Sequence, residues 1–274
     1  PTQVKLILKA PGMTPEEVEA RVITPLEMEL LGVPQGTMLR STAKYAIADI
    51  TIDFAEGTDI YWARQQVAER YGNVAPSLPA DVDGGLAPIS TPLSDVFMFT
   101  VEGGGLSLAE RRSLLDWTLR PALRTLPGVA DVNVLGGQAR SFVVVPDRAR
   151  LSAAGLHFRD VVDVIERNNR NDGAGRLDAG EETLIVRAEG ALRSPEDIAG
   201  IVVRPGATPV RIGDIAQVRT DALTRYGAVT RDGHGEAVEG IVVALRGADA
   251  STLVKAIRAR LDELAPTLPP GVTI

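Results

Sequence analysis

The sequence predicts an α+β fold made of two copies of a split βαβ unit, the second interrupted by an inserted α+β domain. Two internal matches carry this reading. At an offset of 93, Thr14 falls on Ser107, Glu17 on Glu110, Leu26 on Leu119, Leu30 on Leu123 and Pro34 on Pro127. At an offset of 190, the 26 residues from Gly57 to Val82 fall on Gly247 to Val272, with Arg70 on Arg260 and Pro76, Leu78 and Pro79 on Pro266, Leu268 and Pro269. The offsets differ by 97 residues, so the second copy holds a segment that the first lacks, approximately Gln138 to Gly235. Each copy reads strand–helix–strand–strand–helix–strand, the split βαβ or ferredoxin-like order.

The elements follow from local chemistry. Val4–Lys9 is the first strand candidate. Thr14-Pro15-Glu16-Glu17 opens a helix as a capping box with proline at its first position, and Thr24-Pro25-Leu26-Glu27 repeats that pattern. Pro25 lacks an N–H for the preceding turn and predicts a kink or restart. Met38–Lys44 and Ala48–Phe54 read as strands, and the second alternates so cleanly that one face is expected to be buried. A helical pattern covers Asp59–Val74. In the second copy, strand Val96–Val101 precedes a capped helix from Ser107-Leu108-Ala109-Glu110 to Leu126, then strand Val132–Leu135. The insertion offers strands Phe142–Val145, Thr183–Ala188 and Ile201–Val203. Its helices are Phe158–Arg167 and a start at Ser194-Pro195-Glu196-Asp197, with acids at the positive helix end. Strand Ile241–Leu245 and helix Ala250–Leu264 complete the second copy.

The 274 residues are ample for a hydrophobic core, and 45% apolar with 24% charged residues excludes a disordered or fibrous chain. Lysine and arginine number 29 against 36 acids, a net charge of −7, with the bases scattered, which argues against a nucleic-acid partner. The absence of cysteine excludes disulfides, thiolate zinc sites and a cysteine nucleophile. It fits an oxidising compartment. The longest apolar stretches are strand-sized, well short of the ~18–20 residues that span a bilayer. With no initiator methionine and a strand-like run at its end, the chain reads as a piece of something longer.

The stretches Gly57-Thr-Asp-Ile-Tyr-Trp-Ala-Arg-Gln-Gln-Val-Ala-Glu-Arg70 and Ala87-Pro-Ile-Ser-Thr91 resemble the first large periplasmic loop of a resistance–nodulation–division efflux pump, heavy-metal branch. Ala10-Pro-Gly-Met-Thr-Pro-Glu-Glu-Val18, Val96-Phe-Met-Phe-Thr-Val-Glu102, Leu126-Pro-Gly-Val-Ala-Asp-Val132, Gly175-Arg-Leu and Ile212-Gly-Asp-Ile-Ala-Gln-Val218 extend the likeness over essentially the whole chain. The resemblance implies a first porter subdomain over 1–92, a second over 93–140 and 226–274, and a docking domain over 141–225. It implies a homotrimeric inner-membrane pump of a Gram-negative cell, driven by protons, working with a periplasmic adaptor (membrane fusion) protein and an outer-membrane channel. Such a pump is a secondary transporter, not an enzyme, needs no cofactor, and has a divalent metal ion (Zn, Co, Cd or Ni) as its substrate. The membrane helices that carry its protons are absent here, so this portion is not transport-competent alone.

Asp95 and Asp131 are the candidate metal ligands. They open the first two strands of the second copy, and a helical crossover between those strands makes them parallel, with both starting ends at one end of the sheet. Paired carboxylates suit hard or borderline divalent ions. The resemblance implies acids of a cation site at these positions. Asp95 departs from a commoner Glu there, and Pro92 from a commoner Gly. The plain alternative is two solvated strand-end acids. His157 and His234 lie in dissimilar contexts and read as surface residues. Met13, Met28, Met38 and Met98 are unclustered, with Met28 and Met98 expected as core filler, which disfavours a soft Cu(I) or Ag(I) site. Gly103-Gly104-Gly105 reads as a flexible link without the Lys-Ser/Thr of a phosphate loop, and no Gly-x-Ser-x-Gly elbow is present. Glu181-Glu182 reads either as an ordinary turn or as a hairpin reaching a neighbouring protomer. Two other function classes stay open: the same region of a pump for organic compounds, against which the 4% aromatic content argues, and an interaction module with no substrate.

Overall fold

The computed structural model describes residues 2–91, 93–169, 172–179, 182–188, 192–225 and 227–274. Pro92, Gly175-Arg-Leu (at the level of side chains) and the Glu181-Glu182 turn lie outside what is described. Two compact units result. One comprises Pro1–Met98, Ala122–Asn133 and Ile241–Asp262; the other comprises Phe99–Pro121, Val134–Gly240 and Glu263–Ile274.

In the first unit, strands β1 (Gln3–Lys9), β2 (Gly36–Lys44), β3 (Ile47–Phe54) and β4 (Asp83–Leu86) form one sheet in the order β2-β3-β1-β4, antiparallel throughout. Period-two alternation sorts the side chains. Val4, Leu6, Leu8, Ala48, Ile50, Ile52 and Phe54 are buried on one face, while Lys5, Arg40, Asp49 and Thr51 stand on the other. The buried face is covered by α1 (Pro15–Val18), α2 (Thr24–Leu30) and α3 (Ile60–Val74), whose Val18, Leu26, Leu30, Ala63 and Val67 complete the core. The expected capping box is made: the Glu17 N–H donates to Thr14 Oγ1 (3.3 Å) and the Thr14 N–H to the Glu17 carboxylate (2.9 Å).

Pro25 does not break its helix. A π-helical turn, Glu19–Ile23, lies just before it, and backbone angles at Val18 and Thr24 stay right-handed helical. The second copy repeats the device. Here α4 (Leu108–Leu114) runs through a π turn, Leu115–Leu119, into α5 (Arg120–Arg124), with Pro121 following. Widening one turn relieves the clash between a proline ring and the carbonyl four residues earlier. The 93-residue repeat also holds in packing: Leu26 and Leu119, and Leu30 and Leu123, are all buried.

The second copy contributes β5 (Asp95–Thr100), β6 (Glu102–Gly103) and β7 (Val129–Gly136), followed after the insertion by the later strands and helices. Within the insertion, β8 (Arg140–Pro146) is followed by α6 (Arg148–Ala153), α7 (Phe158–Asn168), β9 (Asp172–Ala179), β10 (Glu182–Ala188), α8 (Pro195–Gly200), β11 (Val202–Arg204), β12 (Val210–Arg211), α9 (Ile212–Ile215) and β13 (Ala216–Ala222). It has its own core of Leu151, Val161, Val164, Ile198, Ile201, Ile212 and Ile215. Strands β8 and β13 pair along their whole length, Arg140 opposite Ala222, so the chain leaves the insertion beside the point where it came in. Beyond it come β14 (Val229–Arg231), β15 (His234–Ala244), α10 (Ala250–Leu264) and β16 (Val272–Thr273). The second sheet runs β14-β15-β5, with β7 also paired to β15.

Two expectations are corrected. Met28 and Met98 are not core filler; they are 73% and 57% exposed. On α2 the buried stripe is Leu26 and Leu30, and Met28, two residues from either, falls on the opposite face. On β5 the alternation that buries Phe99 turns Met98 outward. Nor is Gly103-Gly104-Gly105 a flexible link. All three have positive φ, and a Cβ on Gly103 would lie 2.2 Å from the Gly271 carbonyl oxygen. The glycines allow β6 and β16 to pair at van der Waals range, so this segment is a fitted turn. His157 and His234 are exposed, as expected.

Candidate metal-binding strand ends

The first residues of β5 are fixed by a hydroxyl turn. Ser94 is buried; its Oγ accepts from the Thr91 N–H (2.7 Å) and lies 3.1 Å from Thr91 Oγ1, while its N–H donates to the Thr91 carbonyl (3.0 Å). The start of β7 is fixed by the Pro127-Gly128 turn. Gly128 has φ +93°, a backbone conformation that residues with side chains rarely adopt.

Both starts are anchored to consecutive residues at one end of β15. The Ala244 N–H donates to the Ser94 carbonyl (2.7 Å), and the Leu245 N–H donates to the Gly128 carbonyl (2.7 Å). Asp95 is therefore one residue, and Asp131 three residues, beyond anchors on either side of β15. Two strand spacings separate their backbones, about 10 Å. The parallel strands with starting ends at one end of the sheet, inferred from the repeat, are found here. On the same stretch, Arg258 of α10 lies 5.7 Å from the Phe97 ring centroid, a cation–π contact that fixes the helix over β5.

The two carboxylates have different surroundings. Asp95 is exposed. Asp131 keeps 20% of its side-chain exposure; its Oδ1 accepts from the Val132 N–H (2.7 Å) and lies 3.3 Å from Arg124 Nε in an ion pair. Sequence reading missed Arg124, which ends α5 and returns to the strand across the Leu126–Gly128 turn; a base seven residues before the acid, across a turn, was the available signal. Among the described residues, no group of three or more His, Asp or Glu is arranged to hold a metal ion, and no helix is long and apolar enough to cross a membrane. The arrangement offers at most a pair of carboxylates, one open and one held by a guanidinium.

The whole chain, residues 1–274, matches the AcrB/AcrD/AcrF family. Protein HelA of Legionella pneumophila is 37% identical over 98% of the chain, and the cobalt-zinc-cadmium resistance protein CzcA of Cupriavidus metallidurans is 36% identical over 99%. The cation efflux system protein CusA of Escherichia coli is 32% identical over the full chain. The chain spans about a quarter of the length of these relatives. The crystal structure of a heavy metal efflux pump superposes on 99% of the chain with a TM-score of 0.88 at 29% identity, the chain covering 27% of it. Residues 1–274 belong to the AcrB/AcrD/AcrF family, within the heavy-metal efflux branch of the resistance–nodulation–division pumps.

Proposed function

We propose that this chain is the porter and docking portion, the first periplasmic loop, of an inner-membrane pump that exports divalent metal cations in exchange for protons. Residues 1–92 form the first ferredoxin-like porter subdomain, 93–140 with 226–274 the second, and 141–225 the docking domain. The whole pump is a homotrimer joined by a periplasmic adaptor to an outer-membrane channel. The observation that carries the reading is the anchoring of Asp95 and Asp131 on either side of one end of β15, in a chain whose relatives are named for cation resistance and efflux.

The substrate preference follows from ligand chemistry. Cu(I) and Ag(I) favour thioether or thiolate sulfur, but the chain has no cysteine, and Met28, Met38 and Met98 are exposed on three different elements. Carboxylate oxygen suits Zn²⁺, Co²⁺, Cd²⁺ or Ni²⁺ better. Two monodentate carboxylates fall short of the four ligands of a closed site, so the ion is held weakly and the rest of the pump and water supply the remainder. Weak holding suits a substrate that has to leave.

In the full-length pump, Asp95→Asn/Asp131→Asn should lower resistance to zinc or cobalt several-fold at unchanged expression; unchanged resistance would reduce these aspartates to solvated strand ends. Arg124 competes with the ion for Asp131. Its exposed ion pair is worth at most about 1 kcal/mol, so Arg124→Gln should tighten Zn²⁺ binding to the 274-residue chain by up to about fivefold in calorimetric titration. Weaker binding in that variant would mean that Arg124 positions the site.

A further inference from the structure

The first unit carries a second candidate site on the open face of its sheet. Antiparallel register puts Arg40, Thr51 and Lys5 in one row across β2, β3 and β1, with Thr42 and Asp49 in the next row toward the hairpin. Strand β4 ends at Leu86, and among the described residues the edge of β1 from Lys5 to Gln3 is met by one backbone bond, from the Ala87 N–H to the Lys5 carbonyl (2.8 Å). The segment that leaves β4 then arches past this notch. It is held by the Arg246 N–H, which donates to the Ile89 carbonyl (3.1 Å). Between sheet face and arch lies a groove of about 780 Å³, within the range of small-ligand sites.

Its charge is one-sided. Lys5, Arg40, Arg64 and Arg246 line it against a single carboxylate, Asp49. Lys5 is answered locally by Asp49 at 2.9 Å and Arg40 by Asp53 at 2.8 Å. Arg64 is not. Its Nη1 donates to the Ala87 carbonyl (2.6 Å), and among the described residues no carboxylate pairs with it. Of the five N–H donors of a guanidinium, most are left for a ligand. The group is also half-buried at the groove wall, and desolvation lowers its pKa from the ordinary arginine value. A half-buried cation without a counter-charge is costly by itself and is relieved by an anion. The Thr42 and Thr51 hydroxyls add neutral donors on the groove floor.

We propose that this groove binds a small oxyanion with two or more negative oxygens, a polycarboxylate or inorganic phosphate, with Arg64 as its principal contact. A bidentate guanidinium–oxyanion pair supplies both energy and orientation. The proposal goes beyond cation export and does not depend on it: it uses neither Asp95 nor Asp131 and needs no metal.

Calorimetric titration of the 274-residue chain with citrate and, separately, with inorganic phosphate tests it, each at an ionic strength matched with sodium chloride. Saturable one-to-one binding of at least one anion is expected, and which one binds identifies the ligand class. Arg64→Gln should weaken binding by about tenfold or more. Arg246→Gln should weaken it less, and Arg219→Gln, outside the groove, should leave it unchanged. Thermal melts identify any variant that fails to fold, and the exposed Arg246 serves if Arg64 proves structural. No saturable heat for either anion up to ~10 mM, or equal binding in both groove variants, would overturn the assignment.

Discussion

Gly84→Val should destabilise the first unit by about 3 kcal/mol or more, read as a fall in the urea midpoint at unchanged m-value. Gly84 sits in β4 opposite Leu8 with φ +140°, a region that side chains other than glycine rarely adopt. A Cβ there would lie 2.3 Å from the Ile7 carbonyl oxygen and 2.9 Å from Leu8 Cα. Both obstacles are backbone, so no rotamer change relieves them; β4 has to leave β1 or β1 has to bend. Either movement opens the inner face, where Leu6 and Leu8 are fully buried. Gly72→Ala is the matched control. Gly72 is exposed within α3, and its added methyl would meet nothing within 4 Å. That change should stabilise by about 0.5–1 kcal/mol, through lower backbone entropy of the unfolded chain and better helix propensity. A tolerated valine at 84 would mean that β4 contributes little to the fold.

The same strand shows where sequence reading stops. Asp83-Gly-Gly-Leu86 has no alternation and two glycines, so by local rules it is a turn. It becomes a strand because the edge of β1 offers free carbonyls and amides, a cause that lies some 75 residues away and that no window of sequence contains. Ala216–Ala222 was missed for a related reason: among the described residues it pairs with β8 alone, and most of its positions stay exposed, which leaves a weak pattern. Elements driven by local chemistry were legible. The capping hydroxyls of Thr14, Ser107 and Ser194 each accept from the residue three positions on, at 3.3, 3.3 and 3.1 Å. Of the candidate site, the repeat gave the positions of Asp95 and Asp131, because topology follows from element order. The guanidinium of Arg124 and the exposure of Met28 and Met98 were not legible, since each depends on which way one side chain turns at an element's end or face.

Excision of residues 141–225, joined by a short Gly-Ser linker, should leave a host that folds cooperatively and a separate insertion that does the same. The geometry at the root favours this. Arg140 and Ala222 are paired, and the Leu223 N–H donates to the Ala139 carbonyl (2.9 Å), so the chain enters and leaves the insertion one strand spacing apart, about 5 Å. A linker of a few residues spans that without strain. The excised β8 and β13 form a two-stranded sheet of their own, so no host strand loses a ladder partner. The insertion keeps its own buried residues, among them Leu151, Val161, Ile198 and Ile212. The compact unit that holds the insertion nevertheless also contains Phe99–Pro121, part of β15 and the last residues of the chain, which points to a different folding unit. Circular dichroism and urea melts of both pieces decide between them. Two sigmoidal transitions with native-like spectra would make the sequence-derived boundaries the folding units. A host that stays unfolded while the intact chain folds would instead make the spatial unit the cooperative one, and the root of the insertion would then be part of the second porter core and not a hinge.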